Sequence, residues 1–110
     1  MAKNDYFVIA YRILIYLYAC LKSDVAVDTE EISPAKLDIA PKYWLYVLEH
    51  LQAEGYIEGA YIGKLLCGMP SVKLENIAIT PKGVEYLQSN STMEKAKEFL
   101  KTLKEIVPGL

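Results

Sequence analysis

Trp44–Ile57, WLYVLEHLQAEGYI, is the stretch that decides the fold. At helical spacing, Trp44, Val47, Leu48 and Leu51 line one face, as in a helix that buries a single stripe. Lys42, Tyr46, Glu49, His50 and Ala53 fall on the other side. Gly55 can take the left-handed conformation that closes a helix, so the helix is expected over about 41–54. Tyr56-Ile57-Glu58 and Ala60-Tyr61-Ile62 are then rich in aromatic and β-branched residues, which suit a pleated strand. A one-stripe helix, a glycine stop and a strand form the core of a winged helix-turn-helix, whose helix would enter a DNA major groove. The same stretch also fits an amphipathic helix packed on a small sheet with no nucleic acid involved.

Working outward, Ser33-Pro34 reads as a helix start, with Ser33 as N-cap and Pro34 at the first helical position. This short helix is expected over 34–39, anchored by Leu37, until Ala40-Pro41 breaks it and opens the next. A short helix, a tight break and a longer amphipathic helix make a helix-turn-helix. Downstream, strands are expected over about 56–62 and 74–79, around a loop punctuated by Gly63, Gly68 and Pro70. Two strands about such a loop are a wing, with Lys64 and Lys73 flanking it. Thr80-Pro81 starts a helix over 81–89 by the same device as Ser33-Pro34, and Gly83 in its first turn lets the backbone pack close. Ser91-Thr92-Met93-Glu94 has capping-box spacing, so a closing helix is expected over 92–107.

The N-terminal segment Tyr6–Leu21 is the most apolar, within a first helix expected over about 5–22. Arg12 is its one charge, it holds four tyrosines, and it falls short of a bilayer span. A helix apolar nearly all round must be buried nearly all round. One small domain cannot easily cover every side, so a homodimer is expected, with Tyr11 and Tyr18 meeting Phe99 and Leu103 of the closing helix. The length of 110 residues fits a single domain, and 53% hydrophobic residues suffice for a core. The net charge of −2 argues against strong non-specific DNA binding but leaves room for a local basic patch. The acidic connector Asp24–Glu31 would repel phosphate if it faced DNA. Cys20 and Cys67 are far apart with no second pair, which fits reduced thiols in a cytoplasmic protein.

Three signatures carry a family resemblance: LQAEGYI (Leu51–Ile57), ITPKGVEYL (Ile79–Leu87) and the closing STMEKAKEFLKTLKEI (Ser91–Ile106). Together they resemble the YjcQ family, small winged-helix proteins of Gram-positive bacteria and their prophages. The resemblance implies an α+β, mostly helical fold: a winged helix-turn-helix with a two-stranded wing and two further C-terminal helices. It implies a fold and not an assigned role, although the family is usually described as DNA-binding. The chain departs from a simple DNA-binder pattern in its aromatic, weakly basic recognition-helix surface and its aromatic first helix.

The residues do not suggest an enzyme. His50 is the one histidine, and no cue supplies a third group to orient a nucleophile and base. Two isolated cysteines and one histidine make no zinc site, the acidic run lacks calcium-loop spacing, and no glycine-rich phosphate loop occurs. No cofactor is therefore expected, and no membrane. The expected partner is double-stranded DNA, read by Lys42, Tyr43, Tyr46 and His50, with Lys64 and Lys73 on phosphate. The alternative is a protein-interaction module in which Tyr43, Tyr46, Leu65, Leu66 and Met69 form an exposed apolar patch.

Overall fold

A computed structural model describes residues 5–89. The apolar N-terminal run becomes α1, Tyr6–Ser23, and the second long helix, the last helix and the last strand pack against it. Helix α1 outruns the apolar segment by two residues because Asp24 closes it in the left-handed conformation, its N–H reaching back to Cys20 and Leu21. Aspartate is among the few non-glycine residues that accept this geometry. At 18 residues and a mean hydropathy of 1.3, α1 is long and apolar enough to cross a membrane, yet half of that window is buried against the rest of the chain. Ile9, Ile13, Leu14 and Leu17 are its most enclosed side chains. Burial of one such side chain is worth about 1.5–3 kcal/mol.

A 3-10 turn, Thr29–Ile32, leads to α2, Pro34–Leu37. Ser33 caps α2, its hydroxyl oxygen accepting from the Lys36 N–H. The helix stops at Leu37, two residues earlier than the sequence suggested. Asp38 turns left-handed, and the Asp38 and Ile39 N–H groups donate to Ala35 and Pro34. Helix α3, Pro41–Ala53, follows at once and buries Val47, Leu48 and Leu51. Trp44 is only half-buried, because its indole N–H leaves the core to donate to the Ile32 carbonyl at 2.7 Å.

The two strands expected after α3 are four, in two antiparallel ladders. Strand β1, Ile57–Glu58, pairs with β4, Ala78–Ile79, beneath the helices. Strands β2, Tyr61–Lys64, and β3, Pro70–Lys73, form a separate hairpin. Two interruptions divide the strands. Ala60 bonds a side chain instead of a neighbouring strand, and Leu74–Ile77 turns back on itself through an Ile77 N–H to Leu74 carbonyl bond. Gly63 and Val72, expected in the loop, lie inside the ladder, opposite Ser71 and Ile62. The loop therefore shrinks to residues 65–69.

Helix α4, Pro81–Ser89, is seated by Thr80, whose hydroxyl oxygen accepts from the Gly83 N–H and whose hydroxyl donates to the Gly55 carbonyl. A methyl group at Gly83 would collide with the Tyr56 carbonyl and the Ile79 side chain, so the close approach there requires glycine. The architecture is α+β with helix predominant, and Leu51, Ile57, Ile79 and Leu87 share one core. The closing helix expected over 92–107, with Phe99 and Leu103, lies outside the described residues.

Candidate nucleic-acid interface

The buried stripe of α3 fixes which residues face outward. Because Val47, Leu48 and Leu51 turn inward, the 3.6-residue period leaves Lys42, Tyr46, Glu49, His50 and Ala53 exposed. Tyr43 sits at the edge, half-buried, and burial pushes its hydroxyl pKa up, with the Asp5 charge adding to the shift. The α3 N-terminus has Pro41 in its first turn, no acidic residue there and no side-chain cap.

Four of the candidate readers divide into two groups along the helix. Lys42 and Tyr43 stand at its start. Tyr46 and His50 stack one turn apart, with ring centroids 4.0 Å apart. The imidazole Nδ1–H donates to the Tyr46 carbonyl at 2.8 Å. A carbonyl can only accept, so Nδ1 carries the proton and Nε2 is the nitrogen left for a partner. Tyr6 of α1 packs edge-on against Tyr46 at 6.0 Å and against Phe7 at 5.4 Å. His50 also lines a cleft of about 260 Å³ with Tyr6, Phe7, Leu51 and Tyr86. The middle of the α3 surface is thus an aromatic cluster extended by the first turn of α1.

The two hairpin lysines are not brought together. Lys73 is paired with Tyr61 and Lys64 with Pro70, three rungs away, or about 10 Å along the ribbon. Side chains alternate between the faces of a strand, which puts Lys64 on the side of Ile62 and Val72 and Lys73 on the other. Ile62 and Val72 pack against the core, while Lys64, beyond them, is exposed. Lys73 borders a cavity of about 320 Å³ with Glu30, Ser33, Trp44 and Glu75. The acidic connector therefore reaches the cavity that Lys73 borders, with Glu30 in its lining. Glu31 in the same connector lies 3.7 Å from Lys36.

One residue of this surface was not singled out from the sequence. Gln52, next to the buried Leu51, spans from α3 to the root of the hairpin. Its amide NH2 donates to the Ala60 carbonyl at 2.7 Å and its oxygen accepts from the Ala60 N–H at 2.8 Å. A long amide at the edge of a buried stripe is the available sequence signal, but Ala60 as its partner cannot be read from spacing. Lys82 was missed similarly. Its ammonium donates to the Glu54 carbonyl at 2.7 Å and lies over the Tyr56 ring. Tyr11, a candidate for a subunit contact, is buried within the chain, while Tyr18 is half-buried with Lys22 over its ring. Among the described residues, no three His, Cys, Asp or Glu side chains come together in a way that could hold a metal ion.

No curated protein and no solved structure matches the chain. The family model described as YjcQ protein matches residues 11–106, which takes in α1 from its second turn, α3, the hairpin and α4. With that match spanning most of its length, the chain belongs to the YjcQ family.

Proposed function

We propose that this protein is a small winged-helix DNA-binding regulator that reads the major groove with α3. The observation that carries the reading is the outward face of α3. Lys42, Tyr46 and His50 are solvent-facing and chemically able to meet bases and phosphates, beside a hairpin whose root is bonded to the same helix through Gln52. Lys42 can donate to guanine and Tyr43 and Tyr46 to phosphate, while His50 Nε2, with the ring hydrogen on Nδ1, can accept from an amino group at a base edge. Lys64 contributes a phosphate contact from the hairpin. Lys73 contributes less, having Glu30 and Glu75 beside it.

Retention of the protein on a mixed genomic DNA pool at graded salt tests this. Tyr46→Ala and His50→Ala should lower sequence-specific binding and leave the fold intact. Lys64→Ala should weaken binding to all sequences and reduce the salt slope by about one unit, and Lys73→Ala should do so by less. If wild type is not retained at low salt, the DNA reading fails. Exposed Leu65, Leu66 and Met69 would then favour the second reading, a protein-interaction module.

We also propose a homodimer in the cytoplasm, formed through the part of α1 that solvent reaches: Phe7, Ile15, Tyr18 and Leu21. Two-fold pairing is the commonest closed symmetry, and it suits a palindromic site with recognition helices roughly 34 Å apart. Sedimentation equilibrium at micromolar protein tests this. A monomer mass throughout, unshifted by Tyr18→Glu, refutes it. No enzymatic role is proposed.

A further inference from the structure

Separate parts of the chain close one aromatic cleft. Tyr6 comes from the first turn of α1, His50 and Glu54 from the end of α3, and Tyr86 from α4, while Tyr56 follows the left-handed Gly55. A spacing of four residues sets His50 and Glu54 on one side of their helix. The Tyr56 and Tyr86 rings are tilted together with centroids 5.0 Å apart, and Tyr6 meets Phe7 edge-on at 5.4 Å. Burial raises the Tyr6 hydroxyl pKa, and Tyr46, Tyr86, Glu54 and Tyr56 each add to the shift, so these groups converge on one hydroxyl. The space between the rings is about 260 Å³. That is small for a ligand pocket, but larger than cavities that accept a benzene ring.

Charge and hydrogen bonding narrow the occupant. Aromatic faces carry negative partial charge, and tyrosine hydroxyls can accept as well as donate. His50 offers Nε2 as an acceptor, because its Nδ1–H is given to the Tyr46 carbonyl. Glu54 supplies a carboxylate, and no lysine or arginine is among the residues that line the cleft. Among the described residues that carboxylate has no ion-pair partner. Lys82 shows that the cluster accommodates a cation. Its ammonium lies 5.2 Å from the Tyr56 ring centre, yet it donates to the Glu54 backbone carbonyl rather than to the carboxylate. Lys82 thus serves Tyr56 without lining the cleft, and the Tyr6 ring and the Glu54 carboxylate are left for a second cation. An anion would meet a carboxylate and the negative faces of the rings. A neutral apolar molecule would leave Glu54 unused.

We propose that this cleft binds a small protonated amine, with its apolar body against Phe7 and Tyr86 and its ammonium between the Tyr6 ring and the Glu54 carboxylate. A cation beside a ring face and a carboxylate gains from both. The site shares His50 with the outward face of α3 but does not depend on DNA binding there.

Protonated phenethylamine, neutral phenethyl alcohol and anionic hydrocinnamate have bodies of similar size and differ in charge. Each is titrated near neutral pH into the full-length, isotope-labelled protein, with amide chemical shifts giving affinity and location. The amine should bind several-fold more tightly than the alcohol, and the anion most weakly. The shifts should centre on Tyr6, Leu51, Glu54 and Tyr86. Added salt should narrow the gap between amine and alcohol. Glu54→Gln keeps the shape and removes the charge, so it should weaken the amine several-fold and leave the alcohol unchanged. Tyr6→Leu keeps an apolar side chain and removes the ring face, and it should reduce the advantage of the amine in the same way. Glu54 is exposed, so Glu54→Gln should melt like wild type and decides the matter if Tyr6→Leu is unstable. Equal affinity for amine and alcohol, or an amine affinity unmoved by Glu54→Gln, would overturn the cation site. Tighter binding of the anion would also overturn it, as would the absence of shifts with all three probes. Retention on DNA is decided separately, so failure here leaves the DNA reading standing.

Discussion

Replacing Gln52 by alanine removes both bonds that hold the hairpin root to α3. Ala60 is 3% exposed, so its N–H and carbonyl would be left with little water to replace the lost amide. An unsatisfied buried polar group costs about 1–3 kcal/mol. Gln52 itself is half-buried, so the vacated space admits some water and each cost falls toward the lower end. Gln52→Ala should therefore lose about 2–3 kcal/mol. For a domain of this size that lowers Tm by roughly 10–20 °C. Gln52→Glu separates the two bonds. The introduced carboxylate can still accept from the Ala60 N–H, but it has no donor for the Ala60 carbonyl and sets a negative charge against it. Protonation restores the donor. The folded state thus favours the neutral acid, and the carboxyl pKa is raised on folding. The restored stability is present at low pH and lost as pH rises through the folded-state value. Thermal unfolding by circular dichroism at several pH values reads both effects, and amide exchange at Ala60 reports the local bond. If Gln52→Ala melts with wild type and Ala60 remains protected, the coupling of hairpin to helix is wrong.

Other expectations follow from neighbouring contacts. Gly83→Ala gains about 1 kcal/mol of helix propensity. It must also push aside the Tyr56 carbonyl, which is held by the Thr80 N–H, so a net destabilisation of about 1–2 kcal/mol in urea titration is expected. Gly63→Ala meets nothing within 4 Å and should be close to neutral, so a neutral Gly83→Ala would show that α4 is seated differently. Leu51→Ala should cost about 2–5 kcal/mol, and unchanged melting would sink the assignment of α3's buried face. Of the two free cysteines, exposed Cys67 should react with a thiol reagent in the native protein. Cys20 should react only in denaturant, since burial pushes its thiol pKa up against the opposing effect of the Tyr16 hydroxyl, and equal native reactivity would contradict its enclosure.

What the sequence determined is the local and periodic part. The spacing of Val47, Leu48 and Leu51 set the inward face of α3, and with it the outward placing of Lys42, Tyr46 and His50, because a helix of fixed period allows no other division. Ser33, Pro34, Thr80 and Pro81 mark helix starts because capping acts within three residues. Gly55 at φ +83° follows α3 for an equally local reason.

Only the tertiary structure decided the rest. The division of two strands into four depends on Gln52 satisfying Ala60 from another element, a pairing that carries no periodic signature. The position of Lys73 beside Glu30 depends on how the connector folds back onto β3. The opposite faces of Lys64 and Lys73 depend on register, and a slip of one residue reverses every side chain of a strand. The half-exposed Trp44 answers to a carbonyl twelve residues earlier. Sequence spacing describes one element at a time. Which buried polar groups pair, and which charges become neighbours, is settled where elements meet, because an unpaired polar group in the core costs as much as a well-packed side chain contributes.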